Sequence, residues 1–350
     1  MVKNKNFNTR VSLCTPTFNR RPFIKYMIDN IAKQKYPKEL IEWIIVDDGT
    51  DPIGDLVKDI PYVNYYYLKD RTNLGYKRNL MHDKCKYKND DDIIIYIDDD
   101  DYYPPERISH SVITLNNSKA LCAGSSEIFL WFNELNKMYK FGPYGKNHAT
   151  AGTFAFKRKL LKITKYEDNA LLAEEKYFLK DYTIPFVQLD PLKTILVIAH
   201  CQNTFDKKKL INDSPYCKES SLNINTFISE ETTLKFYSSL DSILKLYSYG
   251  DISNKPDVIK EIKRKQDERK LSNREIITTD HNGNKKTLSM DQVINLYELK
   301  CNEIELLKNE IKSLKEENYI LNQKIKYDKS SKIIKDLTNL IKEELVKKEN

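Results

Sequence analysis

Over its first two hundred positions the chain alternates short, continuous apolar runs with stretches in which apolar residues recur every third or fourth position. Residues 11–15, 43–46, 63–68 and 93–97 are rich in β-branched and aromatic side chains and carry no charge, the pattern of strands buried on both faces. Between the first two runs, Pro22 opens a segment with Phe23, Met27, Ile28 and Ile31 on one face, which predicts a helix. Strand, helix and strand in turn predict an α/β fold with a largely parallel sheet. The candidate motifs fall at the carboxyl ends of these strands, where the loops of an open α/β sheet converge on ligands.

Beyond about residue 210 the pattern turns helical. Residues 234–249 are amphipathic and stop at Gly250, residues 256–270 form a charged helix, and Asn282-Gly283 predicts a turn joining strands at 276–279 and 285–288. Ser289 with Gln292 makes a capping box that starts a last long helix. With Tyr297, Ile304, Ile311, Asn318 and Ile325 at a, the d positions are Val293, Lys300, Leu307, Leu314 and Leu321. Isoleucine at a and leucine at d favour two parallel strands, Asn318 would fix their register, and Glu303/Lys308 and Glu310/Lys315 sit at g and e to pair across the dimer. The seam ends at residues 328–332; the alternative is a single solvated helix. The expected organisation is therefore an α/β domain at 1–210, a mainly helical extension with a hairpin at 211–288, and a coiled-coil helix at 289–350, with a homodimer as the partner state.

Composition narrows the function. The net charge of +7 arises from 58 basic and 51 acidic residues mixed along the chain, without the basic stripe of a nucleic-acid binder, so no nucleic-acid partner is expected. Six cysteines show no CxxC pair and no zinc spacing, and Cys14 and Cys122 lie in apolar runs, which favours reduced core thiols and a cytoplasmic location. No stretch approaches the ~18 apolar residues of a membrane span.

The chemistry sits in acidic strand ends. Residues 93–97 run directly into Asp98-Asp99-Asp100-Asp101, and four adjacent carboxylates at the end of a buried strand call for a hard divalent cation, with Asp98 and Asp100 able to face one site. An acidic helix start before Pro104 is the plainer alternative. Residues 43–46 likewise end in Asp47-Asp48-Gly49-Thr50, whose carboxylates can accept hydrogen bonds from a nucleobase, and strand one ends in the proline-stiffened loop Thr15-Pro16-Thr17-Phe18-Asn19-Arg20-Arg21, a second wall for a nucleotide pocket.

These pieces, with Gly75-Tyr76-Lys77-Arg78-Asn79 on a helix start, resemble the family 2 glycosyltransferases of the GT-A fold over roughly residues 9–205. The resemblance implies that Thr15, Pro16, Asp47 and Asp48 line the donor pocket, with Asp48 on the base, often uracil. It implies that Asp100 binds Mn2+ or Mg2+ through the donor's diphosphate, and that Asp98 or Asp99 helps hold ribose and metal. Arg71, Lys77 and Arg78 would meet base or phosphate, although the segment from Asn73 to Asn79 is shorter than the family's. Gly152 and Thr153, within Ala149-Thr150-Ala151-Gly152-Thr153-Phe154, resemble the acceptor-lining segment. Glu174-Glu175 stands where the family has Glu-Asp, making Glu174 an acceptor contact and Glu175 the catalytic base; His200 resembles a histidine that some members bring to the metal. The implied reaction is inverting, metal-dependent transfer of a sugar from a nucleotide-sugar, UDP-linked in the first instance, to a hydroxyl of a glycan or protein. A nucleotidyltransferase would usually show a Gly-rich basic loop near the N-terminus, which is missing; a non-catalytic sugar-nucleotide-binding scaffold would make the coiled coil the working part. The Lys-, Asn- and Ile-rich composition with this motif set is similar to glycosyltransferases of large DNA viruses, which would put the chain in host cytoplasm or virion.

Overall fold

The computed structural model describes residues 7–172, 175–204, 207–208, 210–211, 214–272, 275–279 and 284–348. The uncharged runs form the strands expected of them: β1 (Val11–Thr17), β2 (Ile41–Asp47), β3 (Val63–Tyr67) and β4 (Ile93–Tyr96), parallel and in the order β3-β2-β1-β4. Successive side chains on a strand point to opposite faces, so a run apolar at every position serves two cores. Leu13, Trp43, Ile45, Ile93 and Ile95 join one hydrophobic cluster, while Cys14, Ile44, Val46, Ile94 and Tyr96 join the other. Helices α1 (Arg21–Ala32) and α4 (Arg107–Asn116) supply Ile24, Met27, Ile31, Ile108 and Val112 to the first; α3 (Leu74–Lys84) supplies Met81 to the second. Each such aliphatic side chain, taken fully out of water, contributes roughly 1.5–3 kcal/mol.

Beyond β4 the largely parallel sheet admits one antiparallel strand. The sheet continues through β8 (Ala155–Lys157), β5 (Cys122–Gly124) and β9 (Phe186–Gln188), with β8 antiparallel to both β4 and β5. A second sheet takes the order β10 (Leu196–Ala199), β6 (Ile128–Phe132), β7 (Lys137–Phe141), β11 (Cys217–Glu219). The β6/β7 hairpin turns at Asn136, left-handed at φ 49°. Against this sheet packs α6 (Glu231–Lys245), whose Phe236, Tyr237, Leu240 and Leu244 cluster with Phe129, Trp131, Leu196 and Ile198.

Two compact units divide at Lys263 and Arg264, within α7 (Pro256–Ser272). The second holds a hairpin, β12 (Glu275–Thr279) and β13 (Lys285–Ser289), with Ile276 opposite Leu288; the Asn282-Gly283 turn lies outside the described residues. It ends in α8 (Met290–Lys348), a 59-residue helix that runs through residues 328–332 without interruption, so there the apolar pattern changes but the backbone does not. Along it Ile304, Leu307, Ile311, Leu314, Leu321 and Ile325 are each half exposed. Among the described residues no helix is long and apolar enough to cross a membrane.

Candidate functional site

The strand order reverses between β1 and β4, and in open α/β sheets the crevice outside the carboxyl ends at such a point receives ligands. The loops after β1, β2 and β4 and the start of α3 line a single cleft there: Pro16, Thr17, Phe18 and Arg20 from the first, Asp48 from the second, Asp98, Asp99 and Asp100 from the third, Lys77 and Arg78 from the helix, with Arg71 and Thr72 just before it.

The two carboxylates after β2 do different work. Asp47 is buried, and its oxygens accept from the Gly49 and Ile53 amides at 2.8 and 3.0 Å and from the Tyr65 hydroxyl at 2.7 Å. It shapes the loop and does not line the cleft. Thr15 is also drawn inward, its Oγ1 accepting from the Trp43 indole at 2.9 Å. Asp48 does line the cleft, yet its Oδ2 accepts from the Thr72 amide and hydroxyl at 2.8 and 3.1 Å, and its Oδ1 pairs with Lys77, which also donates to the Thr17 carbonyl at 3.0 Å. Burial lowers the Lys77 pKa, and Asp48 opposes that shift. These bonds use three of the roughly four acceptor positions of the carboxylate.

In the acidic run the carboxylates diverge. Asp98 and Asp100 are half-buried at the cleft, Asp99 is buried, and Asp101 turns away to accept from the Ile198 amide of β10 at 2.9 Å. Burial and then the Asp100 charge push Asp99 up to about 7, and burial pushes Asp101 well above the carboxylate range. Burial works in the same direction on Asp100, but the bonded His200 and Arg20 outweigh it and hold that carboxyl low. Arg20 Nε lies 3.6 Å from Asp99 and Nη2 3.5 Å from Asp100, and Nη2 also donates to the Gln202 carbonyl at 3.0 Å. Arg78 Nη2 is 4.0 Å from Asp98, and its guanidinium stacks 4.3 Å over the Tyr96 ring.

His200 Nε2 stands 3.1 Å from Asp100 Oδ2, and burial lowers its pKa to about 4, so the ring is neutral at pH 7. That separation is a hydrogen bond in the free protein, and it also matches two neighbouring ligands of an octahedral ion with bonds of roughly 2.1 Å. Among the described residues no group of three or more His, Cys, Asp or Glu converges on one point. Asp100 and His200 could supply two of the six positions of such an octahedral ion.

Of the expected acceptor contacts, Gly152 lies against Asp98: a Cβ there would meet Asp98 Oδ2 at 2.4 Å. Thr153 is fully buried, its hydroxyl accepting from the Ser125 amide at 3.0 Å and donating to the Thr150 carbonyl at 2.6 Å, which makes it a brace of the loop. Glu174 lies outside the described residues. Glu175 opens the single turn α5 (Glu175–Phe178); it is not among the residues lining the cleft, whereas Leu171 and Leu172 just before it are.

The candidate list drawn from sequence lacked Arg20, Phe18, Thr72, Lys255 and Val258. Arg20 and Phe18 stand in the loop already noted. Lys255 and Val258 come from the far side of α6, where no local pattern marks them. Arg71 and Lys255 flank the Phe18 ring at 5.3 and 5.1 Å, and Arg71 pairs with Asp257.

Residues 12–167, a little under half of the chain, match the sequence model described as Glycosyl transferase family 2. Similar solved structures include S. aureus TarS 1-349 in complex with UDP-GlcNAc, at 17% identity over 54% of this chain and 58% of that one with a TM-score of 0.43. Another is the mannosyltransferase PcManGT from Pyrobaculum calidifontis in complex with GDP-Man and Mn2+, at 16% identity over 67% and 70% with a TM-score of 0.45. The chain spans less than two thirds of that TarS chain. A search of curated proteins gave no match.

Proposed function

We propose that the chain, whose residues 12–167 match the Glycosyl transferase family 2 model, transfers a sugar, with inversion, from a nucleoside-diphosphate sugar to an acceptor hydroxyl. The observation that carries this reading is the meeting, in one cleft at the carboxyl edge of β1 and β4, of the Asp98 and Asp100 carboxylates with the cations Arg20, Lys77 and Arg78. A nucleoside diphosphate leaves a sugar only if its growing negative charge is met. Arg20 and Arg78 face that charge from fixed positions, each held by an aspartate it can share with the ligand. Asp100 and His200 would hold Mn2+ or Mg2+ together with the donor's phosphate oxygens, with Asp98 at the edge of the ion's surroundings, and the ion would supply Lewis-acid neutralisation of the diphosphate. Pro16 and Phe18 offer the apolar wall against which a base lies, with UDP the first donor nucleotide to test. Glu175 is the proposed general base toward the hydroxyl of a glycan or protein acceptor.

We further propose that α8 pairs with a second copy through its Ile and Leu seam. Half-exposed apolar residues repeating along four heptads are the kind of surface that association buries.

A thermal-shift screen of UDP- and GDP-sugars with and without Mn2+ tests the donor reading, because a ligand of the native state raises its stability by mass action. At least one nucleotide sugar should raise the midpoint, and more so with Mn2+. No shift from any nucleotide sugar contradicts the reading, and transfer of a nucleotidyl group with release of pyrophosphate would replace it.

A further inference from the structure

The segment that follows α6 returns to the cleft and is stitched to the loops that bear its chemistry. Gln202 donates to the Leu244 and Tyr247 carbonyls at 3.0 and 2.6 Å, the Tyr247 hydroxyl donates to Asp51 at 2.7 Å, and Asn19 donates to the Tyr249 carbonyl at 2.8 Å. Gly250 allows the close approach: a Cβ there would lie 2.0 Å from Gln202 Oε1. Asn254 donates to the Ser248 and Tyr249 carbonyls at 3.0 and 2.9 Å, fixing the turn that delivers the next residue, Lys255, to the cleft wall.

Lys255 differs from the other cations there. Arg20 pairs with Asp99 and Asp100, Lys77 with Asp48, Arg71 with Asp257, and Arg78 stands beside Asp98. Among the described residues Lys255 Nζ has no ion pair and no hydrogen bond; its recorded close contact is the face of Phe18 at 5.1 Å. A half-buried ammonium with three unused donors is costly unless a counter-charge arrives. The aspartates of the cleft are each paired elsewhere, which leaves the Lys255 donors open to an anion that enters the cleft.

We propose that Lys255 is a donor-binding residue that grips the phosphate of the nucleotide sugar from the wall of the cleft, bringing a residue well beyond the family-2 segment into the active site. The inference rests on the reading of the cleft as a nucleotide-sugar site.

The test is calorimetric titration of UDP, GDP, uridine and guanosine into the full chain and into Lys255→Met and Lys255→Arg, with Mn2+ held constant. A charge-assisted hydrogen bond of ordinary strength predicts that Lys255→Met weakens the preferred diphosphate by about 10- to 100-fold. The matching nucleoside should bind unchanged, and Lys255→Arg should recover most of the loss. In the unsubstituted protein the diphosphate, but not the nucleoside, should protect Lys255 from acetylation by an N-hydroxysuccinimide ester, read by mass spectrometry; this arm stands even if Lys255→Met does not fold. Equal diphosphate affinity in the folded Lys255→Met protein, or acetylation of Lys255 undiminished by bound diphosphate, overturns the role of Lys255 while leaving the donor reading intact. Failure of the unsubstituted protein to bind either diphosphate overturns both.

Discussion

At the scale of single residues, the site uses small side chains as spacers and buried charges as fixed fields. Gly152→Ala would push a methyl into Asp98 Oδ2. Asp98 must then rotate away from the cleft, so transfer should fall by at least tenfold and the Mn2+ concentration for half-maximal rate should rise, while the thermal midpoint moves little; unchanged metal dependence would remove Asp98 from the ion's surroundings. Glu175→Gln should lower kcat by ~10²- to 10⁴-fold with donor affinity nearly unchanged, as expected for a lost general base. Retention of the donor's anomeric configuration in the product, seen by NMR, would exclude the single displacement that this role requires. His82 gives a prediction on stability. Burial first, and then the nearby Arg78 and Arg158, lower its pKa to about 3, and its Nε2 sits 2.7 Å from the Tyr96 hydroxyl. Between about pH 6.5 and 3 the unfolded imidazole takes a proton that the folded one refuses, so stability falls as pH drops through that window, by up to about 1.4 kcal/mol per unit. Denaturant midpoints at pH 7 and pH 5 should show this loss, and it should be smaller in His82→Leu.

Among the elements, the strands and motifs of β1, β2 and β4 were legible because strands buried on both faces read as unbroken apolar runs, and a carboxylate following such a run has nowhere to go but the sheet edge. The far side of that sheet and the β6/β7 hairpin of the second sheet were not. β5, β8 and β9 have three residues each, too short to establish a period, and β6 and β7 are joined by a hairpin whose left-handed residue is Asn136 rather than an Asn-Gly pair. Within the site, Asp100, Lys77 and Arg78 could be picked out by position, whereas the inward turn of Asp47, Thr15 and Thr153 depends on partners such as Tyr65, Trp43 and Ser125 that no motif specifies. Lys255 was invisible for a related reason: what makes it a site residue is the stitching of Tyr247 and Tyr249 to Asp51 and Asn19, contacts distant in sequence.

On the scale of the whole molecule, the cleft lies entirely within residues 1–263, and α8 belongs to the other unit. Removing residues 289–350 should therefore give a chain that still splits a nucleotide sugar but runs as a monomer, where the full chain runs as a dimer in light scattering. A truncated chain that remains dimeric would take the pairing role away from α8. The central claim is that the acidic edge of β4 meets the charge of a departing nucleoside diphosphate, and the most direct measurement is the release of that diphosphate from its sugar donor by the full chain and by Asp100→Asn, each with Mn2+ and with EDTA. Release by the full chain that requires Mn2+ and falls at least a hundredfold in Asp100→Asn is the predicted result; release that proceeds equally in EDTA, or equally without the Asp100 carboxylate, would contradict it.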